Sequence, residues 1–241
     1  MTWSILAKDS SGTFGIGIAS RFFAVGSLCP HVSPSMGCLS TQALMNPLYG
    51  AQGIALISQG LNAQQVVEKL LSNDIGREQR QLHVLTVNGE SCAFTGDECV
   101  DWCGHISVPN ISLAGNMLAG AVVLERTLEV FQESEGLPLA KRLILAMSAG
   151  ESVGGDKRGK QSAAVLIHKD QPYPQLSLRV DDHEEPIEEL KRLYNKSLDR
   201  YQPFISCLAS SQNPSGIIDR SDIENAITEF HNTNAFSPIK I

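Results

Sequence analysis

The chain opens on two runs of strand formers. Residues 2–8 form the first, the cluster Asp9-Ser10-Ser11-Gly12 marks a turn, and residues 13–20 form the second, so a hairpin is predicted. Gly15 and Gly17 leave one face of the second strand bare, which permits close approach by another element. A third strand is expected over residues 37–44. The period then changes. Asn46-Pro47 supplies a cap and a first-turn proline for a helix reaching Leu56. Asn62 caps a second helix, whose apolar positions Val66, Val67, Leu70 and Leu71 recur at helical spacing. Strand character returns over 81–87, with Asn88-Gly89 as a hairpin turn into 91–95, and again over 111–117. Helices are predicted over 121–134 and 138–149, strands over 161–168 and 176–180, and a helix over 185–200.

Strands, two helices, strands, two helices and strands again describe an α+β chain with helices outside its sheets. A four-layer αββα sandwich satisfies that order. Residues 1–200 are expected to form this domain. Residues 201–241 read as a C-terminal tail with a short helix from Ser221 to about Phe230.

Composition narrows the class. The 241 residues are 42% hydrophobic and 19% charged, enough for a sizeable core. A formal charge of −7 gives no basic footprint, which argues against a nucleic-acid partner. The first residues lack a basic stretch followed by an apolar one, and no run reaches the roughly 18 apolar residues of a membrane span. A cytoplasmic protein without a membrane partner is therefore expected. The six cysteines are expected to be reduced and mostly buried, because Cys99-x3-Cys103 has no second ligand pair at zinc-like spacing. No metal and no organic cofactor is expected.

Candidate chemistry begins at Thr2. A threonine hydroxyl is a poor nucleophile until a base takes its proton. Once Met1 is removed, Thr2 carries its own base, an α-amine with a reference pKa of about 8. Ser20-Arg21 ends the second predicted strand, which a tight hairpin folds back beside Thr2. Arg21 there suits developing negative charge or a substrate carboxylate. Asn116, where a strand hands over to a helix, is a candidate oxyanion donor. The segment Gly154-Gly155-Asp156-Lys157-Arg158-Gly159-Lys160-Gln161 superficially fits a phosphate loop. However, Gln161 replaces the magnesium-binding Ser or Thr, and the loop enters a predicted strand instead of a helix. A polar loop with Asp156 and Arg158 as a charged pair near a pocket is the better reading, and a nucleotide-binding protein is the weaker rival.

These pieces resemble the bacterial family known as domain of unknown function 1028, placed with N-terminal-nucleophile (Ntn) hydrolase-like proteins. The resemblance is carried by Thr2-Trp3-Ser4-Ile5, Ala19-Ser20-Arg21-Phe22-Phe23-Ala24-Val25-Gly26, Ser40-Thr41-Gln42 with Asn46-Pro47, and Phe94-Thr95-Gly96. It continues through Gly115-Asn116-Met117-Leu118-Ala119-Gly120, Gly154 to Gly159 with Gln161-Ser162-Ala163, and Leu178-Arg179-Val180-Asp181-Asp182-His183. It spans about residues 2–195 and implies the αββα sandwich, with Thr2 in the nucleophile's place. Ser20-Arg21 then lies near where proteasome β subunits keep polar residues that tune the terminal amine. The aspartate and lysine of proteasome-like sites have no evident counterpart.

The expectation that follows is an amidohydrolase acting through a Thr2 acyl-enzyme on a small-molecule or peptide amide. Thr2, Asn116, Arg21 and Asp156 form its catalytic set, and Ser20, Thr41, Arg158 and Gln161 contact substrate. A homodimer is compatible with the sandwich faces. The rival of a different class is a ligand-binding or scaffold protein on the same fold without the reaction.

Overall fold

The computed structural model describes residues 2–233 and 237–240. Among the described residues ten strands are formed: β1 (Thr2–Lys8), β2 (Phe14–Ser20), β3 (Pro30–Ser33), β4 (Gly37–Ala43), β5 (Arg80–Thr86), β6 (Ser91–Thr95), β7 (Trp102–Val108), β8 (Ile111–Leu118), β9 (Ser162–His168) and β10 (Leu176–Val180). The helices are α1 (Leu48–Ser58), α2 (Ala63–Leu71), α3 (Val122–Glu133), α4 (Leu139–Ser152), α5 (Pro186–Asp199), α6 (Tyr201–Ile205) and α7 (Arg220–Asn232). The strands make two antiparallel sheets, one in the order β10-β9-β2-β1-β8-β7 and one in the order β3-β4-β5-β6. The sheets face each other through β1, β2 and β8 against β4 and β5, and through β6 against β7 and β8. Helices α1 and α2 pack on the smaller sheet, while α3, α4 and α5 pack on the larger.

Local chemistry explains the main elements. Asn62 closes a capping box with Gln65 at the start of α2. Asn46 accepts the Leu48 N–H at 3.1 Å, so it caps the entry to α1 one residue ahead of Pro47. Gly89 turns the β5–β6 hairpin at a φ of 80°. Two strands lie outside the pattern read from sequence. β3 is short, and β7 carries the alternation Trp102, Gly104, Ile106, Val108 through the Cys99–Cys103 segment.

Alternation along β1 sorts its side chains. Trp3, Ile5 and Ala7 join the core under α3 and α4, whereas Ser4 and Leu6 face the smaller sheet. The bare face of β2 receives α4: a Cβ at Gly15 would stand 2.7 Å from a Leu143 methyl. Gly96 has a stricter role. A Cβ there would lie 2.2 Å from the Glu78 carbonyl oxygen, which is backbone and cannot swing aside. Gly96→Ala is expected to lower unfolding free energy by about 1–3 kcal/mol through overpacking, measured by urea denaturation. An unchanged midpoint would show that the 76–79 turn yields freely.

The segment after residue 200 folds back onto the core. Lys141 Nζ donates to the Ser237 and Pro238 carbonyls at 3.0 and 3.2 Å, and Asn195 exchanges two hydrogen bonds with the Ile239 backbone. Ile227 and Ile239 are buried.

Candidate functional site

Thr2 begins β1 between β2 and β8. The register places it opposite Asn116, and Trp3 opposite Ala19, so the ends of β2 and β8 flank it. The Thr2 hydroxyl lies 3.1 Å from the Ser20 hydroxyl, and both residues are buried. Met1, whose removal the sequence reading requires, lies outside the described residues.

The Thr2 carbonyl is held as well. It accepts from Asn116 Nδ2 at 3.4 Å and from Gln42 Nε2 at 3.3 Å. Asn116 Nδ2 also donates to Gln81 Oε1 at 3.0 Å, and Gln42 Nε2 to the same oxygen at 2.7 Å. Both amide hydrogens of Asn116 are thereby engaged. In this arrangement Asn116 clamps the Thr2 backbone, and an oxyanion would have to compete with these internal acceptors for its N–H groups.

The clamp continues inward. Gln81 Nε2 reaches the Gly104 and Gly115 carbonyls and Thr95 Oγ1. Ser4 Oγ donates to Gln42 Oε1 at 2.6 Å and lies 2.8 Å from His83 Nε2, while His83 Nδ1 lies 3.1 Å from Ser112 Oγ. Ser4 spends its proton on Gln42, so His83 Nε2 must donate to Ser4 and Nδ1 must accept from Ser112. Burial, with some repulsion from His105, pulls the His83 pKa from its ordinary value down to about 3, so the ring is neutral. A polar layer of Ser4, Gln42, Gln81, His83, Ser112 and Asn116 thus fills this part of the inter-sheet space, all six at 0–1% exposure.

Arg21 and Asp156 do meet, but through the backbone. The Arg21 N–H donates to Asp156 Oδ2 at 2.7 Å, and its exposed guanidinium donates to the Lys160 carbonyl at 3.2 Å. Asp156 is buried and also accepts the Arg158 N–H at 2.9 Å, with Arg158 Nη2 at 3.4 Å. It therefore fastens the end of β2 to the glycine loop, whose Gly154, Gly155 and Gly159 all have positive φ before the chain enters β9. A cavity of about 90 Å³ sits here, lined by Trp3, Ser20, Glu151, Asp156, Lys160 and Ser162. Burial raises the Glu151 pKa above its ordinary value, against the opposing pull of Lys160 Nζ 3.0 Å away.

One expected substrate contact falls elsewhere. Thr41 projects from the opposite face of β4 to Ser40 and Gln42, and its hydroxyl engages the Asn46 backbone. It is a turn-forming residue and does not reach the Thr2 network. Gln161 donates to Asp182 Oδ1 at 3.0 Å in an open cleft that it shares with Arg21 and Lys160. Sequence analysis gives no site role to Ser4 and Gln42, which lie in resemblance motifs, or to Gln81, His83 and Ser112, which carry no motif. It also overlooked Glu151 and Lys160, whose ion pair exists only through the return of the glycine loop beneath α4.

The chain matches the family described as "Family of unknown function (DUF1028)" over residues 2–190. A crystal structure of a Silicibacter pomeroyi protein of that family is similar at 31% identity and a TM-score of 0.83, covering 91% of this chain and 96% of that one. A second structure, Anbu (ancestral beta-subunit) from Yersinia bercovieri, aligns at 12% identity and a TM-score of 0.38, over 81% of this chain and 94% of that one. The comparison with curated proteins found no match. On the extent of the family match and of the Silicibacter structure, this chain belongs to the DUF1028 family, a family of unknown function.

Proposed function

We propose that this protein is an N-terminal-nucleophile amidohydrolase on an αββα sandwich, with Thr2 as the attacking residue after loss of Met1. The observation that carries this reading is the Thr2 hydroxyl 3.1 Å from the Ser20 hydroxyl, on a strand end whose carbonyl is clamped by Gln42 and Asn116. Such a clamp fixes the nucleophile's backbone, and fixed geometry is a large part of catalytic advantage. The two facing sheets with helices outside them support the sandwich assignment.

In the proposed reaction Thr2 Oγ1 attacks the substrate carbonyl carbon while its proton passes to the α-amine, directly or through water. The C–N bond then breaks, the departing nitrogen takes that proton, and an ester to Thr2 remains. Water attacks the ester, the α-amine accepting its proton, and the acid is released as Thr2 regains its hydrogen. Ser20 orients the hydroxyl. Arg21, with the Asp156 bracket behind it, and Arg158 present positive charge for a substrate carboxylate.

The test begins with the intact mass of untagged protein, followed by incubation with a β-lactone. The expected result is a mass lighter by one methionine residue and a single acyl adduct on the peptide that starts at Thr2. A mature N-terminus that stays unacylated would count against the reaction. It would favour the rival reading, a ligand-binding or scaffold protein, to which one observation lends weight: the side chains holding Thr2, namely Ser20, Gln42 and Asn116, are all neutral.

A further inference from the structure

A second cleft lies at the other end of the central sheet. β1 runs from Thr2 to Lys8, which separates its two ends by about 20 Å. Beyond Lys8, the β1–β2 turn, the start of α4 and the β9–β10 connection form a floor, and α6 and α7 cover it. The family match ends at residue 190, so this cover is built by chain beyond it.

The cleft has two adjoining chambers that share Lys169, Gln175, Ile205 and Ser206. The larger, about 410 Å³, has an apolar wall of Leu139, Ala140, Ile167, Leu176, Ile205 and Phe230. The smaller, about 220 Å³, mixes Gln171, Tyr173, Ser210 and Asn213 with Leu208 and Ile217. A volume of this size, mostly apolar with a few polar groups at one end, is what small-molecule sites present.

The charges at the junction select the ligand. Lys169 borders both chambers, is exposed, and its Nζ makes no hydrogen bond or ion pair among the described residues. Two acidic groups lie nearby. Asp9 borders the larger chamber and is held in the β1–β2 turn, its Oδ1 accepting the Ser11 N–H, the Ser11 hydroxyl and the Thr13 N–H. Asp170 borders only the polar chamber. Among the described residues lining the two chambers, Lys169 is the one cation, and it stands where they meet.

We propose that this cleft binds a small amphipathic carboxylate, with its alkyl body in the larger chamber and its carboxylate on Lys169. The site would operate independently of any reaction at Thr2. A chain of several methylenes fills an apolar chamber lengthwise, and burial of each contributes to affinity. The carboxylate gains a charge-assisted partner where the two chambers meet.

Calorimetric titration of the full chain with octanoate, octanol and octylamine tests the assignment. Octanoate is expected to saturate at one molecule per chain with a Kd of about 0.1–1 mM. Lys169→Gln should weaken octanoate about tenfold and leave octanol binding unchanged. Ile205→Glu, at a partly exposed position shared by both chambers, should abolish octanoate binding with an unchanged circular dichroism spectrum. No saturation by octanoate, equal or tighter binding of octylamine, or full octanoate affinity in Lys169→Gln would each overturn the proposal.

Discussion

On the proposed mechanism, Thr2→Ala loses amide turnover by at least about 10³-fold while its unfolding midpoint barely moves. The two effects separate because the substitution removes a hydroxyl and a methyl group but no backbone atom. The Thr2 carbonyl keeps its bonds from Asn116 and Gln42, and the pairings of β1 with β2 and β8 are untouched. Only the contact with Ser20 goes, a loss of about 0.5–1.5 kcal/mol for a hydrogen bond of this kind. Thr2→Ser, which keeps the hydroxyl and the α-amine, should retain turnover within about tenfold. Rates are measured on whichever amide substrate a library screen yields, using protein whose N-terminus has been confirmed by mass. If Thr2→Ala and wild type turn over equally, the reaction does not run through Thr2.

How much of this arrangement could be read from the sequence depends on where the polar residues face. The β1–β2 and β5–β6 hairpins were legible, because Asp9-Ser10-Ser11-Gly12 and Asn88-Gly89 mark turns between runs of strand formers. The proximity of Thr2 to Ser20 followed from the first hairpin. The Thr2 clamp did not, because binary patterning assumes that polar strand positions face water. In β4 that assumption fails: Ser40 and Gln42 point between the sheets, while Leu39 packs under α1 and α2 and Thr41 serves the turn into α1. No rule of alternation says which parity is inward when both parities carry hydroxyls. The same reason hid Gln81 and His83, neighbours of Gln42 and Ser40 in the β4–β5 register. The acceptors of the two Asn116 N–H groups come from β1 and β5, distant in sequence, so its hold on Thr2 carries no local signal.

The polar layer has a cost that becomes visible in acid. His83 titrates near its ordinary value of 6.5 in the unfolded chain and near 3 in the folded protein, where burial excludes the charged ring. Between these values the unfolded state binds a proton that the native state refuses, so stability rises with pH from 3 to 6.5 and levels off above it. The slope for this one group approaches about 1.4 kcal/mol per pH unit, and acidifying from 6.5 to 4 removes about 3 kcal/mol. That is a large fraction of the roughly 5–15 kcal/mol that holds a domain of this size folded. His31, His105 and His168 are also pulled down by burial and act in the same direction. Urea unfolding of wild type and His83→Gln at pH 7, 5.5 and 4.5 separates His83 from them, since the other histidines and the carboxylates are common to both proteins. Glutamine cannot be protonated, so the variant should start less stable at pH 7 and lose stability more slowly on acidification, the gap narrowing by up to about 1.4 kcal/mol per unit. Parallel slopes would mean that His83 accepts its proton inside the folded protein. The Ser4–His83–Ser112 chain would then have to be rebuilt around a ring that donates from both nitrogens.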